Sequence, residues 1–241
     1  MKRIDGRDYN QLRPVNIVLN YQAFAEGSVL IELGKTRIIC AVSVEEKVPA
    51  FLRGQESGWV TAEYAMLPRS THTRTDRAGS MFKIAGRSQE IQRLIGRCLR
   101  AVTDLRLLGE RTFTVDCDVI QADGGTRTAA ITGSYVALYQ ALHNLKKSGM
   151  LKTMPLKSAL AATSVGIVDR QDLLDLCYEE DARASVDFNV VKTDKNEYVE
   201  IQGTAEGRPF SKAAVDSLLQ LADGGLKELF EIQSGVIKGL G

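Results

Sequence analysis

FTVDCDVIQADGGTRTAAITGSYVALYQAL, from Phe113 to Leu142, holds a strand, a glycine turn and a helix in succession. Phe113, Val115, Cys117 and Val119 alternate with Thr114, Asp116, Asp118 and Ile120, the period of a strand with one face buried. Ile131, Tyr135, Leu138 and Leu142 then recur at helical spacing. Between the two lies Ala122-Asp-Gly-Gly-Thr-Arg-Thr128. Gly124 and Gly125 allow a close backbone approach, and the helix start behind them offers unpaired N–H groups and the positive end of a dipole. An anion fits such a place. Arg127 adds a planar fork of donors suited to phosphate, and Thr126 and Thr128 carry hydroxyls that cap the helix or touch the same oxygens. Taken alone, the residues also allow a plain turn with Arg127 solvated.

Upstream, Val15 to Leu19, Ser28 to Leu33 and Arg37 to Val44 alternate as strands, with Gly34-Lys35 as a hairpin turn, and Trp59 to Tyr64 follows as a fourth strand of a β-meander. Pro68 to Arg77 is polar, with almost nothing to bury, and is expected to be a mobile surface loop. Its Arg69, Arg74 and Arg77, set among Ser and Thr, suit either solvent or the phosphates of a nucleic acid strand. Ser88 to Leu108 repeats apolar residues at three and four, which predicts one long helix entered through Gly86-Arg87.

Downstream, Ala159 to Val168 and Leu173 to Tyr178 are expected strands around an Asp169 to Asp172 turn. Asp181 ends an acidic run and Asp187 interrupts the apolar alternation of Val186, Phe188 and Val190, so the pair is expected to flank a turn. Two carboxylates with water suit Mg²⁺ or Mn²⁺, although an acidic run is more commonly a solubilised loop. Glu197 to Gly203 is a further strand, and Ser211 caps a C-terminal helix that Gly224-Gly225 is expected to bend or break.

The 241 residues, 44% apolar and 25% charged with a net charge of +1, describe a soluble globular chain and exclude a uniformly basic nucleic-acid binder. Cys40, Cys98, Cys117 and Cys177 lie in separate apolar segments without CxxC spacing and are expected in the core. With His72 and His143 the only histidines, a His/Cys zinc site is excluded. Neither a hydrophobic leader nor an apolar run of about eighteen residues is present, so a cytoplasmic location with no membrane association is expected. The order of elements predicts an α/β (α+β) fold, a single domain over residues 1–241 with mixed sheets and packed helices.

Asp5-Gly-Arg7, Phe51-Leu-Arg-Gly54, Gly58 to Arg69, Gly86-Arg87 with Glu90 to Arg97, Asp116 to Gly133, and Leu174 to Val190 together closely resemble the bacterial ribonuclease PH family over nearly the whole chain. The resemblance implies a phosphate-dependent 3′-to-5′ exoribonuclease, or tRNA nucleotidyltransferase, that trims tRNA precursors, releases nucleoside 5′-diphosphates, and extends to rRNA and a reverse reaction. It assigns inorganic phosphate to Arg87, Gly125, Thr126 and Arg127, a catalytic metal to Asp181 and Asp187, and RNA contacts to Arg69, Arg74 and Arg77. Polynucleotide phosphorylase has a lysine where this chain has Asn189, so no cationic help is carried over there. A homohexameric ring, a trimer of dimers, and a ribosomal-protein-like fold with a left-handed βαβ crossover are also implied.

Two other classes compete. A catalytically silent ring subunit would lack part of the phosphate and acid sets, and both are present. A kinase or ATPase would need the GxxxxGK[ST] lysine, which GGTRT lacks.

Overall fold

The computed structural model describes residues 3–77 and 86–240. β1 (Val15–Leu19), β2 (Gly27–Leu33) and β3 (Thr36–Glu45) pair antiparallel in sequence order. Gly34, at φ 57°, makes the left-handed step that the β2–β3 turn requires. β4 (Trp59–Met66) does not continue the meander, because β5 (Thr112–Gln121) inserts between it and β3. The sheet order is β1-β2-β3-β5-β4, with β4 and β5 parallel. A parallel pair needs a crossover, supplied here by α1 (Gly86–Ala101).

α1 stops seven residues short of the expected Leu108, and Leu105–Leu108 forms a separate 3₁₀ turn. Local competition ends it: Thr103 Oγ1 donates to Leu99 O at 2.7 Å, Asp104 N donates to Pro155 O at 2.8 Å, and the Asp104 side chain accepts from Arg106 N.

β5 buries the alternating face expected of it and leads through the glycine turn into α2 (Thr126–Lys147). Sixteen of the 22 residues of α2 are buried. A helix apolar on nearly every side has no solvent face to keep, so it serves as core for two layers at once. One is the first sheet, where Gly133 packs so closely on Ile31 and Cys40 that an added Cβ would come within 2.8 Å of Ile31. The other is a second, four-stranded sheet of β6 (Leu160–Val168), β7 (Gln171–Leu174), β8 (Val186–Thr193) and β9 (Tyr198–Ala205), ordered β7-β6-β8-β9. Thr132 of α2 exchanges hydrogen bonds with the Ala162 peptide, and Ala162 and Val191 join the same apolar cluster as the first sheet.

Of the strand expected over Leu173 to Tyr178, only Leu173 and Leu174 form. β7 ends at Leu174, Asp175 takes a left-handed φ of 54°, and Tyr178–Asp181 closes one helical turn, α3. Asp181 therefore ends a helical turn, while Asp187 sits on β8 as anticipated.

α4 (Lys212–Lys238) covers the opposite face of the second sheet through Leu218, Ala222, Leu226 and Leu229. Its N-cap is Ser211, whose hydroxyl accepts from Ala214 N. The helix runs unbroken through Gly224-Gly225, because Gly225 lies where the helix meets Leu174 and Leu12, and a Cβ there would fall 2.8 Å from Leu174. Packing outweighs the glycine cost, which is about 1 kcal/mol. Gly224 faces open space. Replacing Gly224 by Ala should raise stability by about 0.5–1 kcal/mol, a melting shift of roughly 1–4 °C. Gly225→Val should lower it by about 1–3 kcal/mol. Thermal denaturation of the two variants checks this, and equal responses would contradict the packing described.

Candidate active site

Gly124 and Gly125 both adopt left-handed backbone, at φ 73° and 66°, and α2 begins immediately after them. Only glycine enters this conformation freely. The close approach at Gly124 is made to protein: a Cβ would lie 2.6 Å from Leu176 O and 2.8 Å from Tyr178 N. The turn is thereby pressed against the backbone that enters α3, the helical turn ending in Asp181. The glycine turn and the first acid are joined by contact.

Thr126 is buried, and its hydroxyl accepts a 2.9 Å bond from Tyr64 of β4. Thr128 Oγ1 donates to Gly125 O at 2.9 Å, closing the first turn of the helix. Neither contact consumes the N–H groups at the helix start, which the α-helical ladder leaves unpaired. Arg127 is largely covered; its Nη1 donates to Gln202 of β9 and lies 3.5 Å from Glu90 of α1. Gln202 Nε2 also donates to Glu90 at 3.1 Å. This small network of α1, α2 and β9 holds the guanidinium across the seam between the sheets.

Gln202 pairs in register with Asn189, and Thr204 with Asp187, so Arg127 is held to the sheet face that carries Asp187. Asp187 is half-buried; its carboxyl is pushed up first by burial and then by the negative charge of Asp181, with Arg127 opposing. Asp181 keeps an accessible edge, yet nearby protein displaces enough water to raise its carboxyl as well, against the pull of Arg87, Arg127 and Arg13. Arg87 is exposed in the first turn of α1. The fields of Arg87 and Arg127 both reach Asp181, and both reach Tyr64 beneath the turn. Two cations distant in sequence and two mutually repelling acids thus share one neighbourhood.

Among the described residues no cluster of three or more His, Cys, Asp or Glu side chains is arranged to hold a metal. Asp181 and Asp187 offer a pair of hard oxygen donors instead, a set suited to a cation that keeps most of its ligands as water or phosphate oxygen.

The arginine loop is tied down where it leaves β4. Ser70 is buried, its carbonyl accepts from Ala122 N at 2.8 Å, and Thr75 N donates to Pro68 O at 2.9 Å. Arg69, Arg74 and Arg77 are exposed; Arg69 donates to His72 O and Arg74 pairs with Asp76 at 3.4 Å. The anchor at Ala122 puts the start of this loop beside the glycine turn.

Several participants escaped the sequence reading. Arg13 is buried, donates to Asp123 O and to Gly124 O, and is salt-bridged to Asp175 at 2.6 Å. Arg3 grips Glu180, the neighbour of Asp181, at 2.8 and 2.6 Å. Tyr64, Glu90 and Gln202 were also missed. Each lies far along the chain from the residue it serves, and no local pattern marks it. All four cysteines are free and buried, as expected. No helix of the described residues is long and apolar enough to cross a membrane.

Residues 11–142 match the model of the 3′ exoribonuclease family, domain 1, and residues 158–225 match its domain 2. The chain is 60% identical over 236 residues to a protein of Dehalococcoides mccartyi named Ribonuclease PH, covering 98% of each. It is 56% identical over 237 residues to a protein of Syntrophomonas wolfei with the same name, covering 98% of this chain and 99% of the other. Rice (Oryza sativa) Rrp46 is similar in fold at TM-score 0.79 and 19% identity, with 98% of this chain and all of that one covered. A chain of the Archaeoglobus fulgidus exosome, solved with RNA bound to its active site, gives TM-score 0.77 at 22% identity over 95% of this chain and 92% of the other. With both of its sheets matched, the chain belongs to the 3′ exoribonuclease family.

Proposed function

We propose that this chain is a phosphorolytic 3′-to-5′ exoribonuclease of the ribonuclease PH kind, acting on the 3′ ends of tRNA precursors and of other RNAs, rRNA included. The observation that carries the reading is the seating of the α2 start and Arg127 against the sheet face that bears Asp187 and against the backbone that leads into Asp181. High identity to proteins named Ribonuclease PH over the full chain supports the same activity.

Inorganic phosphate is held by Arg87 and by Gly125, Thr126 and Arg127. One of its oxygens attacks the terminal phosphodiester phosphorus, the bond to the preceding 3′-oxygen breaks, and the products are a nucleoside 5′-diphosphate and RNA one residue shorter. Phosphate is already a nucleophile at neutral pH, so the protein needs no histidine base or serine nucleophile; it positions reactants and offsets charge. Asp181 and Asp187 would hold Mg²⁺ or Mn²⁺, which when bound neutralises charge on the phosphate oxygens and the departing 3′-oxygen. Arg69, Arg74 and Arg77 contact the phosphodiester backbone as RNA enters, without reading its sequence.

The sequence resemblance further supports a cytoplasmic homohexamer, a trimer of dimers, built from a single-domain chain. A silent ring subunit is the weaker reading, because phosphate and acid sets are both complete. A phosphate-binding kinase is weaker still for want of a P-loop lysine.

Replacing Arg127 by Ala should raise the phosphate concentration needed for half-maximal trimming by about 10–100-fold, the worth of charge-assisted hydrogen bonds, with RNA affinity kept. Steady-state kinetics with phosphate varied will show it, and an unchanged requirement would count against this site. Asp187→Asn should bind RNA in a mobility assay and fail to shorten it at any Mg²⁺ or Mn²⁺ concentration.

The same acids carry a stability signature. Burial raises both carboxyls above the ordinary Asp value, so as pH rises the unfolded chain releases these protons before the folded chain does. Folding stability falls through that interval, and the full penalty stands at pH 7. Asp181→Asn and Asp187→Asn should therefore melt above the parent at pH 7, with the advantage shrinking as pH falls back through the carboxylate range. Melting curves across that range test the sign.

A further inference from the structure

We infer that Asp175, acting through Arg13, is a positioning residue that orients the peptide planes of the glycine turn for anion binding and ties that turn to the segment that leads into Asp181. The inference deepens the phosphate reading above and rests on it.

Asp175 is buried and holds a left-handed backbone that a side chain rarely adopts, so its surroundings must enforce it. Its N–H donates to Ser164 O at 2.7 Å. Its carboxylate accepts from Arg13 N at 2.8 Å, Nε at 2.9 Å and Nη2 at 2.6 Å, and from Arg7 Nη1 at 3.4 Å. Its carbonyl accepts from Arg3 Nη2 at 2.9 Å and Arg7 Nη2 at 3.1 Å. Arg3 passes on to Glu180, which precedes Asp181. One aspartate thus gathers three N-terminal arginines.

Arg13 turns its remaining donors on the glycine turn. Nη1 donates to Asp123 O and Nη2 to Gly124 O at 3.4 Å. Thr36 Oγ1 reinforces the second of these peptides, donating to Gly124 O at 2.7 Å, and holds the peptide that precedes both by accepting from Asp123 N at 2.9 Å. A trans peptide is planar, with its C=O and N–H pointing opposite ways. Drawing the Asp123 and Gly124 carbonyls toward Arg13 and Thr36 therefore aims the N–H groups of Gly124 and Gly125 away from them. These N–H groups lead into those of the helix start, forming a concavity of donors suited to an anion. The carbonyl of either peptide, if released, could rotate and present negative charge where phosphate must sit.

A buried ion cluster of purely structural worth would lower all kinetic constants together or none. The test is steady-state phosphorolysis by Arg13→Lys and Thr36→Val, with melting temperature recorded and Arg127→Ala run in parallel. Arg13→Lys keeps the charge and loses the fork; Thr36→Val keeps the shape and loses both hydroxyl contacts. The expected result is a rise in KM for phosphate of about 10-fold or more for Arg13→Lys and about 2–10-fold for Thr36→Val, with KM for RNA unchanged. Asp175→Asn should follow Arg13→Lys where it folds, and the other two variants decide the matter where it does not. An unchanged phosphate KM in the folded variants, or a loss of activity that only tracks the folded fraction, overturns the inference. Should Arg127→Ala raise the phosphate KM while these variants do not, only the positioning role falls. Should Arg127→Ala leave it unchanged too, the phosphate reading itself fails.

Discussion

The burial of α2 between two sheets is the constraint on which the rest of the molecule depends. A 22-residue helix with most of its surface covered cannot slide or rotate without opening contacts to both layers, and interiors at crystal-like density tolerate little such movement. Its N-terminus is therefore a fixed point in the fold. The glycine turn, the field of the helix and Arg127 inherit that position, and the second sheet brings Asp187 to the same end. Small residues make this possible. At Gly27, a Cβ would overlap the helix backbone at Ala137 and Ala141, so the first sheet and α2 lie nearly backbone to backbone.

Around that fixed point the polar groups are paired in a consistent direction. Arginines from the N-terminal segment are engaged by Asp175 and Glu180, and the positive charge of Arg13 reaches Asp181 together with that of Arg87 and Arg127. Asp175 and Glu180 differ from the candidate catalytic acids in this respect. The Glu180 carboxyl is held below its ordinary value because its bonds to Arg3 and the Cys177 N–H outweigh burial, whereas Asp181, one residue later, is held above. Neighbouring acids in one acidic run thus differ in setting, Glu180 paired with Arg3 inside the protein and Asp181 keeping an accessible edge.

What local pattern could reveal, it revealed: the alternation in β5, the helical spacing of α2 and the hairpin at Gly34 are short-range features, and the structure keeps them. The order β3-β5-β4 was not legible, because the crossover through α1 determines it and no residue of β4 announces its neighbour. The helical turn holding Asp181 was missed for a similar reason. Asp175 bends the chain there, and its chief partner, Arg13, lies 162 positions away. The unbroken α4 shows the converse: a glycine pair that should weaken a helix locally is retained because Leu174 needs the room. For the site, the candidate residues stood out by type, setting and family resemblance, while Arg13, Tyr64, Glu90 and Gln202, which lie behind or beside them, are recognisable only in three dimensions.

The two family-matched stretches meet along the seam that Arg127 and Gln202 bridge, and this divides the labour. In the proposed site the oxyanion donors come from the first matched stretch, residues 11–142, and the carboxylates from the second, residues 158–225. Neither half alone carries the whole of the proposed site, so on that reading the competence of the enzyme is a property of the join. A perturbation that leaves each layer intact but lets them drift apart would silence the chemistry while preserving secondary structure, and a spectroscopic signature of folding would not reveal the loss.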